Sequence, residues 1–209
     1  QALERFGLED ALPVIGLLPG SRQNEVNALL PVMIGAADLL QKEFASIQFL
    51  VLKAHTIERS LLERYCRDAV CQPRIIEAET YEGINACHLC IVASGTATLE
   101  TAILEKPMVI VYKTSFLTWL MAKLLVKIPY IGLVNVVAGK RIVPECVQFQ
   151  ATAARVAAEL QKIFTDEIRA AVIKENLRDV KNLLGPPGAS RRAAGIIYET
   201  TAPTPSSGR

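Results

Sequence analysis

Short, continuously apolar runs alternate along the chain with longer stretches in which apolar residues recur every three or four positions. Continuous runs fit strands of a parallel sheet, because helices cover both faces of such a sheet. The runs predict five strands, at residues 13–18, 47–53, 74–77, 89–93 and 107–112. The intervening stretches predict helices at residues 23–44, 56–69, 79–87 and 97–105. This alternation predicts an α/β fold, a Rossmann-like parallel sheet with helices on both faces.

The pattern beyond residue 112 predicts one more strand and three more helices. Residues 131–137 form another apolar run and predict a sixth strand, with Asn135 near its end. Pro144 disfavours helix at the residue before it, so residues 143–148 are expected to form a loop. The remaining helices are predicted at residues 152–164, 166–184 and 190–199. Residues 1–200 are thus expected to form one domain, followed by a disordered tail at 201–209.

The fourth predicted strand leads into a turn of small residues, Ser94-Gly95-Thr96. A strand, a tight turn and a helix leave backbone N–H groups available at the start of the helix, where the macrodipole favours phosphate. Glu100 follows about one turn into the predicted helix, where its carboxylate can accept hydrogen bonds from sugar hydroxyls. An ordinary strand-to-helix turn with a capping hydroxyl would show the same residues.

The first predicted strand leads into a second turn, which contains Gly20, Ser21 and Arg22. A cation at the start of a helix opposes the macrodipole, unless an anion lies in front of it. A guanidinium holds phosphate through two parallel hydrogen bonds, so Arg22 is a candidate phosphate ligand, although a solvated surface arginine fits equally well. In a parallel sheet both turns lie at the carboxyl edge, where ligands bind in such folds.

Composition narrows the class of protein without fixing it. A net charge of +2 and 6% aromatic residues argue against a nucleic-acid-binding protein, which concentrates basic residues in a stripe. Five cysteines, an odd number, are typical of reduced thiols in a cytosolic protein. Cys87 and Cys90 have the spacing of a metal-binding pair, but no second pair completes a zinc site. We therefore interpret them as buried structural cysteines and expect neither metal nor cofactor.

Residues 115–127, which begin at Ser115, are apolar except for a few positions that include Lys123 and Lys127. The run is too short to span a bilayer, which takes about 20 residues. A basic amphipathic helix with Trp119 at the interface fits peripheral attachment to a membrane. A helix packed on the sheet or on a partner domain fits as well, and the sequence leaves both interpretations open.

Several segments, taken in order, resemble lipid-A-disaccharide synthase, a glycosyltransferase family of the GT-B type. The matching segments cover most of residues 13–150, and they are Leu18-Pro19-Gly20-Ser21-Arg22 with Glu25, residues 93–100, Pro107-Met108-Val109 with Tyr112-Lys113, Leu133-Val134-Asn135, Ala138-Gly139, and Val143-Pro144-Glu145 with Gln148. The match is to the C-terminal, donor-binding half of that family. We expect an acceptor-binding half to precede Gln1, in keeping with a first residue that is not Met.

The resemblance implies an inverting transfer of 2,3-diacylglucosamine from UDP-2,3-diacylglucosamine to the 6-hydroxyl of 2,3-diacylglucosamine 1-phosphate. UDP leaves, and a β-1,6 disaccharide precursor of lipid A forms. The resemblance places the general base in the acceptor half, so this chain alone is expected to be inactive. It also implies a cytoplasmic enzyme, peripheral on the inner membrane of a Gram-negative-type bacterium through residues 115–127, and leaves a homodimer open.

The resemblance also implies roles for individual residues. Arg22 would stabilise the leaving diphosphate, and Glu100 would bind the ribose hydroxyls. The remaining substrate-binding candidates are Gly20, Ser21, Ser94, Gly95, Thr96, Asn135, Glu145 and Gln148. Two alternative functions stay open: another UDP-sugar enzyme of this architecture, such as an N-acetylglucosaminyl transferase or an epimerase, and a non-catalytic membrane or subunit interaction module.

Overall fold

A computed structural model describes residues 2–115, 118–121, 129–186 and 188–201 of the chain. Its centre is a six-stranded, all-parallel sheet with the strand order β3-β2-β1-β4-β5-β6. The strands are β1 Val14–Leu18, β2 Gln48–Lys53, β3 Arg74–Glu77, β4 Leu89–Ala93, β5 Met108–Tyr112 and β6 Glu145–Val147. The first five confirm the strands predicted from the apolar runs, to within one residue at each end. All residues of β1 and β4 are buried, as expected for central strands covered on both faces.

Helices cover both faces of the sheet, which confirms the predicted fold class. The helices are α1 Ala2–Arg5, α2 Gln23–Glu43, α3 Arg59–Cys66, α4 Thr80–Ala86, α5 Ala97–Ile103, α6 Leu133–Ala138, α7 Ala153–Phe164, α8 Glu167–Leu184 and α9 Ala189–Thr201. In one layer α2 packs against α3 and α7, and in the other α5 packs against α6 and α8. The buried faces join the sheet in one hydrophobic core, with Leu17, Phe49 and Ile91 among its members.

The prediction for residues 131–148 was wrong in two places. The apolar run at 131–137 is not a strand: α6 begins after Gly132 and ends before Gly139, whose φ of +64° closes the helix in the left-handed conformation. Asn135 therefore lies inside a helix. The sixth strand is Glu145–Val147, within the expected loop. Pro144 lacks an N–H, but its carbonyl accepts the Ile110 N–H at 2.9 Å, which suits the start of an edge strand.

Two predicted segments lie largely outside the described residues. Within the segment at 115–127, residues 118–121 are helical, and the Trp119 ring packs edge-on against Phe149 with centroids 5.3 Å apart. Residues 116–117 and 122–128 are outside the described part of the chain. In the predicted tail, Thr201 is the last residue of α9, and residues 202–209 are not described. No helix within the described ranges is long and apolar enough to cross a membrane.

Candidate nucleotide-binding site

The order of the strands defines where a ligand can bind. The chain crosses from β1 outward to β2 and β3, then returns to place β4 on the other side of β1. In open parallel sheets, ligands bind at the carboxyl edge at such a point of reversal. Leu18 of β1 lies beside Val92 of β4 in the register of the sheet. The turn of residues 19–22 and the turn of residues 94–96 therefore start side by side at that edge.

Glycine is required at position 20. Its φ is +108°, a backbone conformation that disfavours any side chain. A Cβ atom there would also lie 2.6 Å from Oε2 of Glu25. The backbone can turn tightly at the end of β1 only because no side chain is present.

Glu25 holds the first turn in place from within α2. Its Oε2 accepts the N–H groups of Ser21 and Arg22, both at 3.3 Å, and its Oε1 lies 3.0 Å from Nη1 of Arg22. The Arg22 side chain is 81% exposed at the start of α2. A pair this exposed is worth about 0–1 kcal/mol, so a diphosphate can compete for the guanidinium. Glu25 is absent from the predicted site residues, although a glutamate three residues after the helix cap is the signal of a capping box.

The second turn presents backbone donors and one carboxylate. Among the described residues, no acceptor pairs with the N–H of Gly95 or Thr96. A Cβ atom on Gly95 would meet nothing within 4 Å, so the space in front of this turn is open. Glu100 lies in the first turn of α5, half-buried, and its carboxylate pairs with no described side chain or backbone group. The turn can therefore donate to an anion, with an acceptor about one helical turn away.

Ser94 connects this turn to the segment that precedes α6. Its hydroxyl donates to the carbonyl of Ile131 at 2.9 Å. The N–H groups of Ile131 and Gly132 donate to the two carboxylate oxygens of Glu145, at 3.1 and 2.9 Å. The segment at residues 131–132 is thus fixed between the end of β4 and the start of β6.

Asn135 and Glu145 form a buried hydrogen-bond network. Asn135 is fully buried; its Nδ2 donates to Oε1 of Glu145 at 2.8 Å and to the carbonyl of Val143 at 3.0 Å. Its Oδ1 accepts the N–H groups of Ile142 and Val143, at 2.9 and 3.1 Å. Because the amide of Asn135 is fully engaged inside the protein, the geometry fits a role in positioning the loops around it.

Gln148 has a related arrangement on the same edge. Its Oε1 accepts the N–H of Thr114 at 3.1 Å, and its Nε2 donates to the carbonyl of Thr114 at 3.0 Å. This pair ties the end of β5 to the end of β6. Asn135 and Glu145 are thus connected to the turn at residues 94–96 through Ile131 and Ser94, and Gln148 lies at the same edge of the sheet. The hydrogen bonds of the turn at residues 19–22 are made instead with Glu25 and Thr56. No local sequence pattern reveals these contacts.

The cysteine pair lies at the opposite edge, where β1 and β4 begin. Cys87 and Cys90 are buried free thiols, which confirms their interpretation as buried cysteines. The hydrogen bond to Cys90 and burial raise the pKa of Cys87 well above its usual value. His88 beside them accepts the Val14 N–H on Nδ1 at 3.1 Å. In the described part of the chain, no group of three or more His, Cys, Asp or Glu side chains is placed to hold a metal ion.

A doubly wound sheet with two glycine turns at its reversal point defines the class of fold as Rossmann-like. The sequence model of the family described as lipid-A-disaccharide synthetase matches residues 1–195. The chain belongs to this family. It is 40% identical over 199 residues to the lipid-A-disaccharide synthase of Syntrophus aciditrophicus, an alignment that covers 93% of this chain and 51% of the relative.

Solved structures share the fold at low sequence identity. MnaA of S. aureus, solved with UDP, superposes with a TM-score of 0.64 at 12% identity, over 96% of this chain and 48% of that one. WaaG, a glycosyltransferase involved in lipopolysaccharide biosynthesis, gives a TM-score of 0.61 at 12% identity, over 94% and 50%. The chain spans about half the length of the curated relatives it matches.

Proposed function

We propose that this chain is the donor-binding half of a lipid-A-disaccharide synthase and binds UDP-2,3-diacylglucosamine. The observation that carries the proposal is the pair of glycine turns at the reversal point of the sheet, in a chain of this family. The acceptor is 2,3-diacylglucosamine 1-phosphate, and the products are the β-1,6 disaccharide and UDP. A UDP-sugar donor is also in keeping with MnaA, a protein of this fold that was solved with UDP.

The chemistry required of this half is stabilisation of the diphosphate that leaves. In the transition state, the bond between the anomeric carbon and the diphosphate breaks and negative charge grows on the oxygen. The Arg22 guanidinium exchanges its contact with Glu25 for the diphosphate, and the N–H groups of Gly95 and Thr96 donate to the same group. Ser21 and Gly20 give the close backbone approach. A metal ion is not needed for this arrangement.

Glu100 binds the ribose of the nucleotide in this proposal. Its unpaired, half-buried carboxylate offers two acceptor oxygens one turn below the phosphate-binding N–H groups. The other predicted site residues contribute indirectly, because they hold the backbone at residues 131–132 and 114 in place. These residues are Ser94, Asn135, Glu145 and Gln148. The base that deprotonates the acceptor hydroxyl belongs to the acceptor half, so the isolated chain is expected to bind UDP but to form no disaccharide.

Peripheral attachment to the inner membrane through residues 115–127 is part of the proposal. Its support is the sequence, in which apolar residues are combined with Lys123 and Lys127. The Trp119 contact with Phe149 indicates that the start of this segment also packs on the domain. Lys123→Gln with Lys127→Gln should weaken sedimentation with anionic vesicles; unchanged sedimentation would remove this part of the proposal.

Calorimetric titration with UDP tests the site. Arg22→Ala should weaken UDP about tenfold or more, because a hydrogen bond between charged groups is worth about 1.5–3 kcal/mol. The matched control is Arg67→Ala, which removes an exposed arginine at the end of α3. Equal affinity of both variants for UDP would contradict the role of Arg22.

Glu100 is tested with a modified nucleotide. The wild-type chain should bind UDP more tightly than 2′,3′-dideoxy-UDP, and Glu100→Ala should bind the two equally. A variant that keeps the preference for UDP would contradict the assignment of the ribose to Glu100. In the reconstituted full-length enzyme, preference for an acylated over a non-acylated UDP-glucosamine separates this function from that of other UDP-sugar enzymes.

A further inference from the structure

An open cleft of about 610 Å³ lies between the loop that precedes β6 and the helices α7 and α8. Residues 140–144 form one wall and come directly before the first residue of β6. The cleft therefore lies beside the start of the edge strand β6, whereas the turns at residues 19–22 and 94–96 follow the central strands β1 and β4. Nothing in the proposed donor site uses it.

The charge of this cleft is strongly positive. Its charged side chains are Lys140, Arg141, Arg155, Lys162, Arg169 and the single acid Glu159. These five cations and one carboxylate give the cleft a formal charge of +4, whereas the whole chain carries only +2. The rest of the surface is therefore close to neutral or acidic, and the positive potential is concentrated here.

Glu159 serves as the internal counter-ion of the cleft. Its side chain is only 7% exposed, and its Oε1 lies 3.0 Å from both Nη2 of Arg155 and Nζ of Lys162. Nη2 of Arg169 is 3.6 Å from its other oxygen. One carboxylate thus orients three cations from two helices, and it neutralises only one of their charges.

The remaining cations line the facing wall. Arg141 donates to the carbonyl of Glu145 at 3.1 Å, and Lys140 forms no ion pair with any described residue. The backbone of this wall is held in place, because the N–H groups of Ile142 and Val143 donate to Oδ1 of Asn135. Guanidinium and ammonium groups on both the loop and the helices that line the cleft match the several oxygens of a phosphate or diphosphate.

We propose that this cleft is a second anion site, which binds a phosphate-bearing group independently of the donor nucleotide. The phosphate belongs either to a free phosphorylated molecule or to the headgroup of an anionic lipid. The cleft holds the cations around Glu159, and the ligand supplies the negative charge that Glu159 alone does not. Binding there depends on the five cations and not on Arg22 or the turn at residues 94–96.

Inorganic pyrophosphate is the probe, followed by amide chemical shifts of the 209-residue chain. We expect saturable shifts at residues 140–144 and along α7 and α8, which persist in the presence of saturating UDP. Lys140→Gln with Arg169→Gln should weaken this binding about tenfold or more, by the worth of two charge-assisted hydrogen bonds. Arg67→Gln removes one exposed charge at the end of α3, next to β3 at the far end of the sheet from β6, and should leave the affinity unchanged.

A second pair of variants separates binding from folding. Lys140→Gln alone alters an exposed residue that pairs with no described group, so it should retain the wild-type fold and still weaken pyrophosphate binding. Glu159→Gln removes the competing carboxylate and should tighten the binding. The proposal is overturned if pyrophosphate causes no saturable shift at the cleft up to about 10 mM, an affinity below about 3 kcal/mol. It is also overturned if Lys140→Gln and Glu159→Gln bind like the wild type.

Vesicles identify the source of the phosphate. The chain is sedimented with vesicles of equal parts phosphatidylcholine and phosphatidylglycerol, and with vesicles of phosphatidylcholine alone. Sedimentation with the first only, and its loss in Lys140→Gln with Arg169→Gln, would assign the phosphate to a lipid headgroup. Pyrophosphate binding without such sedimentation would assign a free phosphorylated ligand. Because these variants leave the donor turns unchanged, failure here is distinct from failure of UDP binding in Arg22→Ala.

Discussion

Replacement of Asn135 by alanine tests whether the buried network holds the donor edge of the domain together. The side chain is fully buried and makes four hydrogen bonds. It donates to the carbonyl of Val143 and to the carboxylate of Glu145, and it accepts the N–H groups of Ile142 and Val143. Truncation leaves all four partners without the amide that satisfied them. Four bonds at about 1 kcal/mol each, one of them to a charged oxygen, give a loss of about 4 kcal/mol.

Urea denaturation followed by circular dichroism measures this loss. With a slope of about 2 kcal/mol per molar urea, the midpoint should fall by about 2 M. The matched control is Asn182→Ala, an exposed position near the end of α8, which should stay within about 0.5 kcal/mol of wild type. A loss below about 1 kcal/mol in Asn135→Ala would refute the network, because it would mean that water or a small shift replaces its bonds.

The same variant should act on the donor site through the loop that Ser94 contacts. Glu145 loses its contact with Asn135 and becomes free to move, which loosens its hold on the N–H groups of Ile131 and Gly132. We expect weaker UDP binding in folded Asn135→Ala, with no change in the preference for UDP over 2′,3′-dideoxy-UDP. Loss of that preference would instead indicate that Asn135 touches the ribose.

Three further predictions concern other parts of the fold. Gly20→Ala should cost about 1–3 kcal/mol of stability and weaken UDP binding, because it forces a side chain to φ +108° and against Glu25. The control Gly195→Ala lies in open space within α9 and should not destabilise the protein; equal losses of stability in the two variants would contradict this prediction. Burial, together with the charges of Lys106 and Lys174, lowers the pKa of His88, so the unfolded chain binds more protons than the folded one. The stability contributed by neutral His88 should therefore be complete above about pH 6.5 and decline as the pH falls below that value. In urea titrations at several pH values, His88→Gln should flatten that decline. Burial, then Glu63, raises the pKa of Cys66 to about 11, so its alkylation by iodoacetamide at neutral pH should be far slower than in urea, and equal rates would contradict the buried environment.

The sequence predicted the first five strands because each is a continuous apolar run bounded by polar or turn residues. The sixth was misplaced, since a short apolar run such as 131–137 fits a buried strand and a buried helix equally. The glycines at 132 and 139 decide for the helix, at its start and at its left-handed end. The true β6 has only three residues and begins with Glu145, whose charge hides it from any apolar pattern.

The candidate site divides in the same way. The turns around Gly20 and Gly95 could be predicted, because their signals are local: a strand, small residues and a helix. The partners of Asn135, Glu145 and Gln148 could not be predicted, because apart from the contact between Asn135 and Glu145 they are backbone groups, up to 34 residues away. The resemblance implied that these three side chains bind the substrate. In the structure their amide and carboxylate groups bind backbone groups of residues 114, 131–132 and 142–143.

A crystal structure of this chain with UDP bound would locate the nucleotide directly. We expect the diphosphate between the turns at residues 19–22 and 94–96, with the Arg22 guanidinium moved from Glu25 to the phosphates and the ribose against Glu100. Uridine bound away from both turns, or a diphosphate that leaves the contact between Arg22 and Glu25 intact, would contradict it.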